Sequence, residues 1–452
     1  MEADAATPVP GPFGAPLVLP REQHPISRRE IDPDALKILF RLQRLGFTAY
    51  LTGGAVRDML LGRKPKDFDI ATDARPNQIR KYFANAFIIG RRFRLAHIRF
   101  RGGKVIEVAT FRRDPGPLEA GEDAAATEAP LEPAAPAGPL REAAHGYAFG
   151  TPAEDAWRRD ITLNALFYDP ATAAVIDYVG GVADLRQGRI RVIGDARVRF
   201  REDPVRMWRV IRYAARLGFA IDEEIAAAIV ADRELLRSCS EARLYEEFAK
   251  DLLGPCAQAV FARHREFGVL RLLLGGIGAA LEDDAGMFAA ACALLAVADN
   301  EKETGRAPDL AEMMALLLWP WAEPQLGDGG FDPFPPLKKA FLGAGMIVSL
   351  PKGMRAQLID LLALVARMKR ALASGVVRGS LRQRPGYAQA SRLCFVIARA
   401  RAPQEGESFE SLFREAFPGR PLEGGGTRRR RRRRRPGGAP PASEPPAGRP
   451  AP

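Results

Sequence analysis

The stretch Leu51–Asp69, Leu-Thr-Gly-Gly-Ala-Val-Arg-Asp-Met-Leu-Leu-Gly-Arg-Lys-Pro-Lys-Asp-Phe-Asp, constrains the chain more than any other. An extended apolar approach ends at Gly53 and Gly54, an amphipathic turn or two follows, and a basic loop delivers Asp67 and Asp69. On a strand, residues i and i+2 share a face, so the two carboxylates stand side by side while Phe68 turns away. Such a pair repels unless a cation lies between its members. Mg²⁺ held by one or two carboxylates plus substrate phosphates is the usual solution, with Mn²⁺ as an alternative ion. Glycines without a Cβ let backbone N–H groups approach an anion where a helix begins, and Arg57 and Lys66 add positive charge. A Gly-Gly turn or an Asp-x-Asp strand end is common by itself. In this order, with Arg-Asp and Leu-Gly between them, the two make a phosphate cradle beside a metal pair.

At 452 residues the chain is long enough for about three domains with packed cores. No apolar run reaches membrane-spanning length, and no basic-then-apolar leader opens the sequence, so a cytoplasmic protein without membrane insertion is expected. Cys239, Cys256, Cys292 and Cys394 are widely spaced. They read as core thiols rather than as a zinc site or a disulfide framework. Of the net charge of +12, eight positive charges fall in one run, Arg428, Arg429, Arg430, Arg431, Arg432, Arg433, Arg434 and Arg435. Such a block cannot fold alone and suits a polyanion.

Residues 1–20, rich in Pro, Ala and Gly, read as disordered. A helix is predicted at about 32–45, stopped by Gly46, then a strand from Phe47 to Thr52. His24 reads as a solvated loop residue. After Asp69 come a helix from Arg75 to Ala84 and strands at Phe87–Gly90, Ala96–Phe100 and Val105–Phe111. The last strand carries a lone acid, Glu107, which either completes a carboxylate cluster with Asp67 and Asp69 or partners an arginine. Residues 114–146 lose hydrophobic periodicity and read as a flexible loop. Order returns before Arg158, Arg159 and Asp160, whose place just ahead of an apolar segment favours partial burial and a specific role over a surface charge run. A turn at Gly180-Gly181 and a strand at Ile190–Ile193 follow. The helix opened by Arg201-Glu-Asp-Pro-Val-Arg206 has Arg206, Arg209, Arg212 and Arg216 on one side without matching acids in its own sequence. That stripe faces either solvent or phosphates and bases. Beyond Gly218 the chain reads as helical to about 400, with His264 as an exposed helix residue.

The segments from Arg21 to about Gly254 closely resemble the bacterial poly(A) polymerases, class II nucleotidyltransferases related to the tRNA CCA-adding enzymes. Gly53-Gly54-x-x-Arg57-Asp58, Asp67-x-Asp69, Arg158-Arg159-Asp160 and Glu202-Asp203-x-x-Arg206 are common to both kinds of enzyme. The segment Ile88-Ile89-Gly90-Arg91-Arg92-Phe93-Arg94-Leu95-Ala96-His97-Ile98, the stretch Arg21–Arg28 and the basic tail are similar to the poly(A) polymerases alone.

The resemblance implies an α+β fold: a nucleotidyltransferase head with a small mixed β-sheet flanked by helices, then an all-α neck, body and tail. The expected division is a head at 21–178, a neck at 179–254, a body at 255–400 and an Arg-rich disordered tail at 401–452. It also implies template-independent addition of AMP from ATP to RNA 3′ ends, with two metal ions on Asp67 and Asp69. Asp160 joins the acidic catalytic set and Glu107 supports it. Gly53, Gly54, Arg57, Arg158 and Arg159 hold the nucleotide, and Asp203 and Arg206 read its base. Arg91, Arg92 and Arg94 are candidates for adenine selection. Expected partners are ATP, single-stranded RNA 3′ ends and RNA-decay factors, the chain acting as a monomer. A CCA-adding enzyme and, from another class, a non-catalytic basic RNA-binding protein are the alternatives. Deleting residues 427–452 is expected to weaken RNA binding and flatten its dependence on salt, by up to about 0.7 in log–log slope for each arginine that contacts a phosphate; a filter-binding titration across salt concentrations measures it.

Overall fold

The structure is a computed structural model that describes residues 14–90, 94–113, 148–303, 305, 307–326, 332–373 and 379–401. The loop expected at 114–146, Arg91, Arg92 and the arginine run at 428–435 lie outside the described residues.

Among the described residues, ten short strands and their helices make the head. Eight of the strands form one sheet in the order β1 (Leu17–Leu19), β10 (Ala174–Asp177), β9 (Leu166–Asp169), β2 (Ala49–Thr52), β3 (Asp69–Thr72), β6 (Val105–Thr110), β5 (Leu95–Arg99) and β4 (Ala86–Ile89). The pair β7 (Arg112–Arg113) and β8 (Ala148–Phe149) lies beside it. All neighbours in the large sheet are antiparallel except β3 and β6. This mixed pattern follows from the helix Pro76–Tyr82 and the β4–β5 hairpin, which intervene before β6 returns alongside β3.

The period-2 alternation decides the two faces. Leu51, Ile70, Val108, Ala96 and Ile98 point to one side, where they pack with Ile38, Leu39, Leu42, Val56 and Ile79 from three helices. The first of these helices, Pro33–Arg44, is started by Asp32, whose Oδ1 accepts from Asp34 N at 2.8 Å, and it ends before Gly46 at φ 85°. Among the described residues the other face is covered near its centre, by Phe111, Phe167, Ala156 and Ile193.

Two expectations about the N-terminal segment change. Ordered chain begins before Arg21, because Leu17–Leu19 pairs antiparallel with Asp177–Val175 at the sheet edge. His24 is buried rather than solvated. The segment after β1 crosses the β9–β10 hairpin, so His24 Nε2 lies 2.9 Å from the Ala173 carbonyl oxygen and Arg28 donates to Ala171 O. Burial holds the His24 imidazole below its ordinary pKa.

From Gly181 onward the described chain is almost wholly helical and shares one large core running from Ile161 to Ile397. At its head-proximal end lies the helix Val205–Leu217, with Met207, Trp208, Val210, Ile211 and Ala214 fully buried. Its arginine stripe is not free. Arg206 Nε and Arg209 NH1 bind the two oxygens of Asp160 at 3.0 and 2.7 Å. Arg212 binds Glu247 and Asp251, and Arg216 approaches Asp58 at 4.0 Å. The acids come from distant segments, so no local spacing announced them. His264, expected on the surface, is fully buried: its Nε2 is 2.7 Å from Asp251, which also accepts from Trp208 Nε1.

Glu247 shows which effect wins in this network. Burial alone would raise its pKa, but the Arg212 and Arg209 guanidiniums overcome that and hold it down at about 2. Because the folded value is depressed, the stabilisation is present above the unfolded carboxylate value near 4.3 and is lost as pH falls through about 2. Glu247→Gln is therefore expected to destabilise the protein by on the order of 3 kcal/mol at neutral pH, since it leaves buried arginine charge underpaired. Denaturant unfolding should show this difference narrowing between pH 4.5 and 2.

Candidate active site

The sequence leads β2 into Gly53, at φ 71° and ψ −132°, a conformation that side chains with a Cβ rarely adopt. Its N–H donates to Leu166 O, and Gly54 then starts the helix Gly54–Leu60. A Cβ on Gly53 would lie 3.4 Å from Arg159 NH1, and one on Gly54 would lie 3.4 Å from Arg57 NH2. The two glycines thus let two guanidiniums close on the turn.

Asp69 opens β3, where it pairs with Thr52 of β2. The parallel register Ile70 to Val108 places Glu107 of β6 level with Asp69, and His97 of β5 pairs with Glu107. One transverse row therefore carries Phe167, Thr52, Asp69, Glu107 and His97 across five strands, all on the partly covered face. Asp67 sits two residues before Asp69 on the approach loop and is exposed.

Asp69 is reachable from solvent, yet the protein crowded around its carboxyl disfavours the charged form. Glu107 and Asp67 add like-charge repulsion, Arg159 partly offsets both, and the pKa is pushed up to about 6. Glu107 thus lies beside Asp69, and among the described residues its side-chain neighbour is His97, whose Nε2 lies 3.2 Å from Glu107 Oε1 without hydrogen-bond alignment. Among the described residues no three ligating side chains converge as a ready-made metal cage. The donor set fits a hard divalent ion that takes two carboxylates from the chain and its remaining oxygens from phosphate and water. Asp67 and Asp69 would be its ligands.

The arginines are placed by one buried carboxylate that sequence reading passed over. Asp155 lies on the helix Pro152–Trp157, started by a capping box between Thr151 and Glu154. It binds Arg158 Nε at 3.0 Å and Arg159 NH2 at 2.9 Å. Burial opposes its ionisation, but Arg159 and Arg158 together hold its pKa below the ordinary value. Arg159 NH1 also donates to Asn164 O at 2.7 Å, and its guanidinium lies 5.3 Å from the Phe167 ring centre, which aims its charge at the acid row. The i, i+3 and i, i+4 spacing of Asp155 to the two arginines was the available signal.

Other candidates occupy different settings. Arg57 is 2 % exposed, with Nε 2.9 Å from Asp58 Oδ1, NH1 on Asn164 Oδ1 and the Tyr213 ring at 5.5 Å. It braces the glycine turn against the long helix. Asp160, expected in the catalytic set, is spanned by Arg206 and Arg209 at the junction of the head with that helix. Asp203 accepts from Arg243 NH2 at 2.9 and 2.8 Å, and Arg206 also binds Glu202. Arg94 immediately precedes β5.

The raised Asp69 value carries a pH signature. A folded pKa above the unfolded one costs stability as pH rises from about 3.8 through about 6. Asp69→Asn is expected to raise the melting temperature at pH 7.5 in the presence of EDTA. The gain should vanish by pH 4, as read by thermal melts, and Mg²⁺ should stabilise only the parent protein.

Comparison with known proteins places this arrangement. Residues 49–191 match the poly A polymerase head domain, and residues 218–281 match a region described as "Probable RNA and SrmB- binding site of polymerase A". Poly(A) polymerase I of Salmonella typhimurium is 42 % identical over 304 residues, 67 % of this chain and 63 % of that one. Poly(A) polymerase I of Escherichia coli O6:H1 is 48 % identical over 233 residues, 52 % of this chain and 48 % of its own length. The chain thus spans less than two thirds of the length of these relatives. In three dimensions it is similar to the Bacillus stearothermophilus CCA-adding enzyme in complex with CTP, with a TM-score of 0.60 and 26 % identity over 86 % of this chain and 83 % of that one. With the head-domain match lying over the glycine turn, the acid row and the paired arginines, the head of this chain belongs to the poly(A) polymerase family, whose members it resembles together with the CCA-adding enzymes.

Proposed function

We propose that this protein is a polynucleotide adenylyltransferase that adds AMP from ATP to RNA 3′ ends without a template, releasing pyrophosphate. The observation that carries the reading is the Asp69–Glu107 pair on adjacent strands, with Asp67 beside it and Arg159 facing it across the Gly53 turn. The identity of the added nucleotide is drawn from the poly(A) polymerases the chain resembles.

In this reading residues 17–178, the edge strand Leu17–Leu19 included, are the catalytic head, 179–254 the neck, and 255–400 the body that holds RNA. The 3′-hydroxyl oxygen of the primer forms a bond to the α-phosphorus, and the bond from that phosphorus to the bridging oxygen of pyrophosphate breaks. Bound Mg²⁺, or Mn²⁺, supplies charge neutralisation on the phosphates and a lower pKa for the attacking hydroxyl. The chain supplies position. Asp67 and Asp69 gather the metal, Glu107 keeps the local field negative, and Gly53 clears the mouth for phosphate. Arg159, held rigid by Asp155, offers fixed positive charge to the triphosphate without reorganising during the step. Asp203 and Arg206, at the start of the long helix, read the base after exchanging their present partners Arg243 and Asp160. Asp160 then senses whether Arg206 is engaged, in keeping with its place at the head–neck junction.

A CCA-adding activity is the second reading, favoured by relatives such as the Lactobacillus helveticus CCA-adding enzyme, 34 % identical over 227 residues. Incubation with Mg²⁺, a generic RNA primer or a tRNA lacking its 3′ end, and each nucleoside triphosphate separately distinguishes the two. Long ladders with ATP alone are expected. CTP incorporation on the tRNA would establish the second reading instead, and wild-type elongation by Asp69→Ala would remove the metal assignment. Asp155→Ala, which frees both arginines, is expected to raise the KM for ATP at least tenfold.

A further inference from the structure

Among the described residues nothing packs over the outer strands β4, β5 and β6 on the face of the sheet that carries the acid row. Along them the burial alternates cleanly: Ala86, Ala96, Ile98, Ile106 and Val108 are buried on the helix side, while Phe87, Ile89, Arg99, Val105 and Glu107 are exposed on the other. The row that holds Asp69 and Glu107 continues through His97 to Phe87, because Phe87 pairs with His97. Phe87 is therefore three strand spacings from Asp69, about 14 Å.

Phe87 is 48 % exposed, Ile89 37 % and Val105 41 %, an unusual concentration of apolar surface on one side of three strands. The Arg99 guanidinium stands 4.5 Å from the Phe87 ring centre. The Arg99 main chain is held to Asn85, Arg99 N donating to Asn85 O at 3.1 Å and Asn85 Nδ2 donating to Arg99 O at 2.7 Å. Arg101 adds exposed positive charge at the end of β5. An aromatic ring and a guanidinium, both solvent-facing and in line with the proposed phosphoryl-transfer centre, are the elements that single-stranded nucleic acid uses: bases stack on the ring, and phosphates follow the charge.

We propose that the exposed face of β4–β5–β6 is the platform on which the last nucleotides of the RNA primer stack on their way to the acid row, with Phe87 and Arg99 as its centre. This deepens the proposed function and rests on it for the identity of the polymer. The occupant follows from continuity with the site and from charge. Stacking on Phe87 is indifferent to base identity, and the path from Phe87 to Asp69 accommodates a few nucleotides. Contact is through one strand face rather than a groove, which fits a single strand and leaves no room to read a duplex.

Phe87→Ala and Phe87→Trp, both at an exposed position, test this through binding of a fluorescein-labelled single-stranded oligoadenylate, followed by anisotropy without nucleotide. The alanine variant is expected to weaken binding about tenfold while the KM for ATP stays at the parent value, and tryptophan is expected to restore affinity. Arg99→Gln should weaken binding as well and reduce its salt dependence. Parent-like affinity of Phe87→Ala would overturn the platform and leave this face to a protein partner. A parallel rise in the KM for ATP would also overturn it, by pointing to a general defect of the head. Failure of the broader reading is separable: a parent protein that elongates no primer, but whose oligoadenylate binding still depends on Phe87, removes the adenylyltransferase and keeps the platform.

Discussion

The joint between the head and the helical half depends on neutralising the arginines of one helix. Val205–Leu217 buries its apolar face completely, which draws Arg206, Arg209 and Arg212 into surroundings where an unpaired guanidinium would cost several kcal/mol. Asp160 from the head and Glu247 and Asp251 from a later helix supply the countercharge. Each pair crosses between segments far apart in sequence, so the charges hold the joint and fix its register together. Asp251 links further, through Trp208 and His264, into the core of the body.

The same logic, applied in the opposite sense, makes the candidate active site. There, among the described residues, no arginine or lysine forms an ion pair with the acids. Asp69 and Glu107 are neighbours across a parallel strand pair, Asp67 is close, and Arg159 is the described positive charge that tempers Asp69. A stable fold tolerates this because the group stands at the open end of the sheet. Acids at the joint are paired with arginines, whereas the acids of the row share one open site, where the proposed metal would supply the countercharge. Asp155 is the intermediate case: it is consumed in structure so that Arg159 can serve the site.

Much of the head was legible because its signals are local. The glycine turn, the helix from Pro33 stopped by Gly46 and the alternating strand Val105–Thr110 all follow from backbone sterics and side-chain periodicity within a few residues. The i, i+2 acids lie near each other but do not share a strand as expected, because β3 begins only at Asp69 and leaves Asp67 on the approach loop. The edge strand Leu17–Leu19 was missed because three residues in a Pro-rich segment carry no period. They become a strand only when β10 offers its edge. His24 and His264 were misread for a related reason: a lone histidine gives no sign of whether Ala173 or Asp251 will close over it.

Sequence by itself determined the chemistry this chain can attempt, because Gly53, Gly54, Asp67 and Asp69 are bound to one another by short spacing and backbone geometry. It determined the fold class on the same grounds. Only the tertiary structure decided which charges are spent and which are kept. The arginine stripe looked unpaired on its own helix, yet its partners arrive from residues 160, 202, 247 and 251. Arg57 looked available and is buried against Asp58 and Asn164. Apart from the i, i+4 pair of Glu202 with Arg206 and the adjacent Arg57 and Asp58, these contacts act through space, over a few ångströms, between residues whose separation along the chain carries no trace of them.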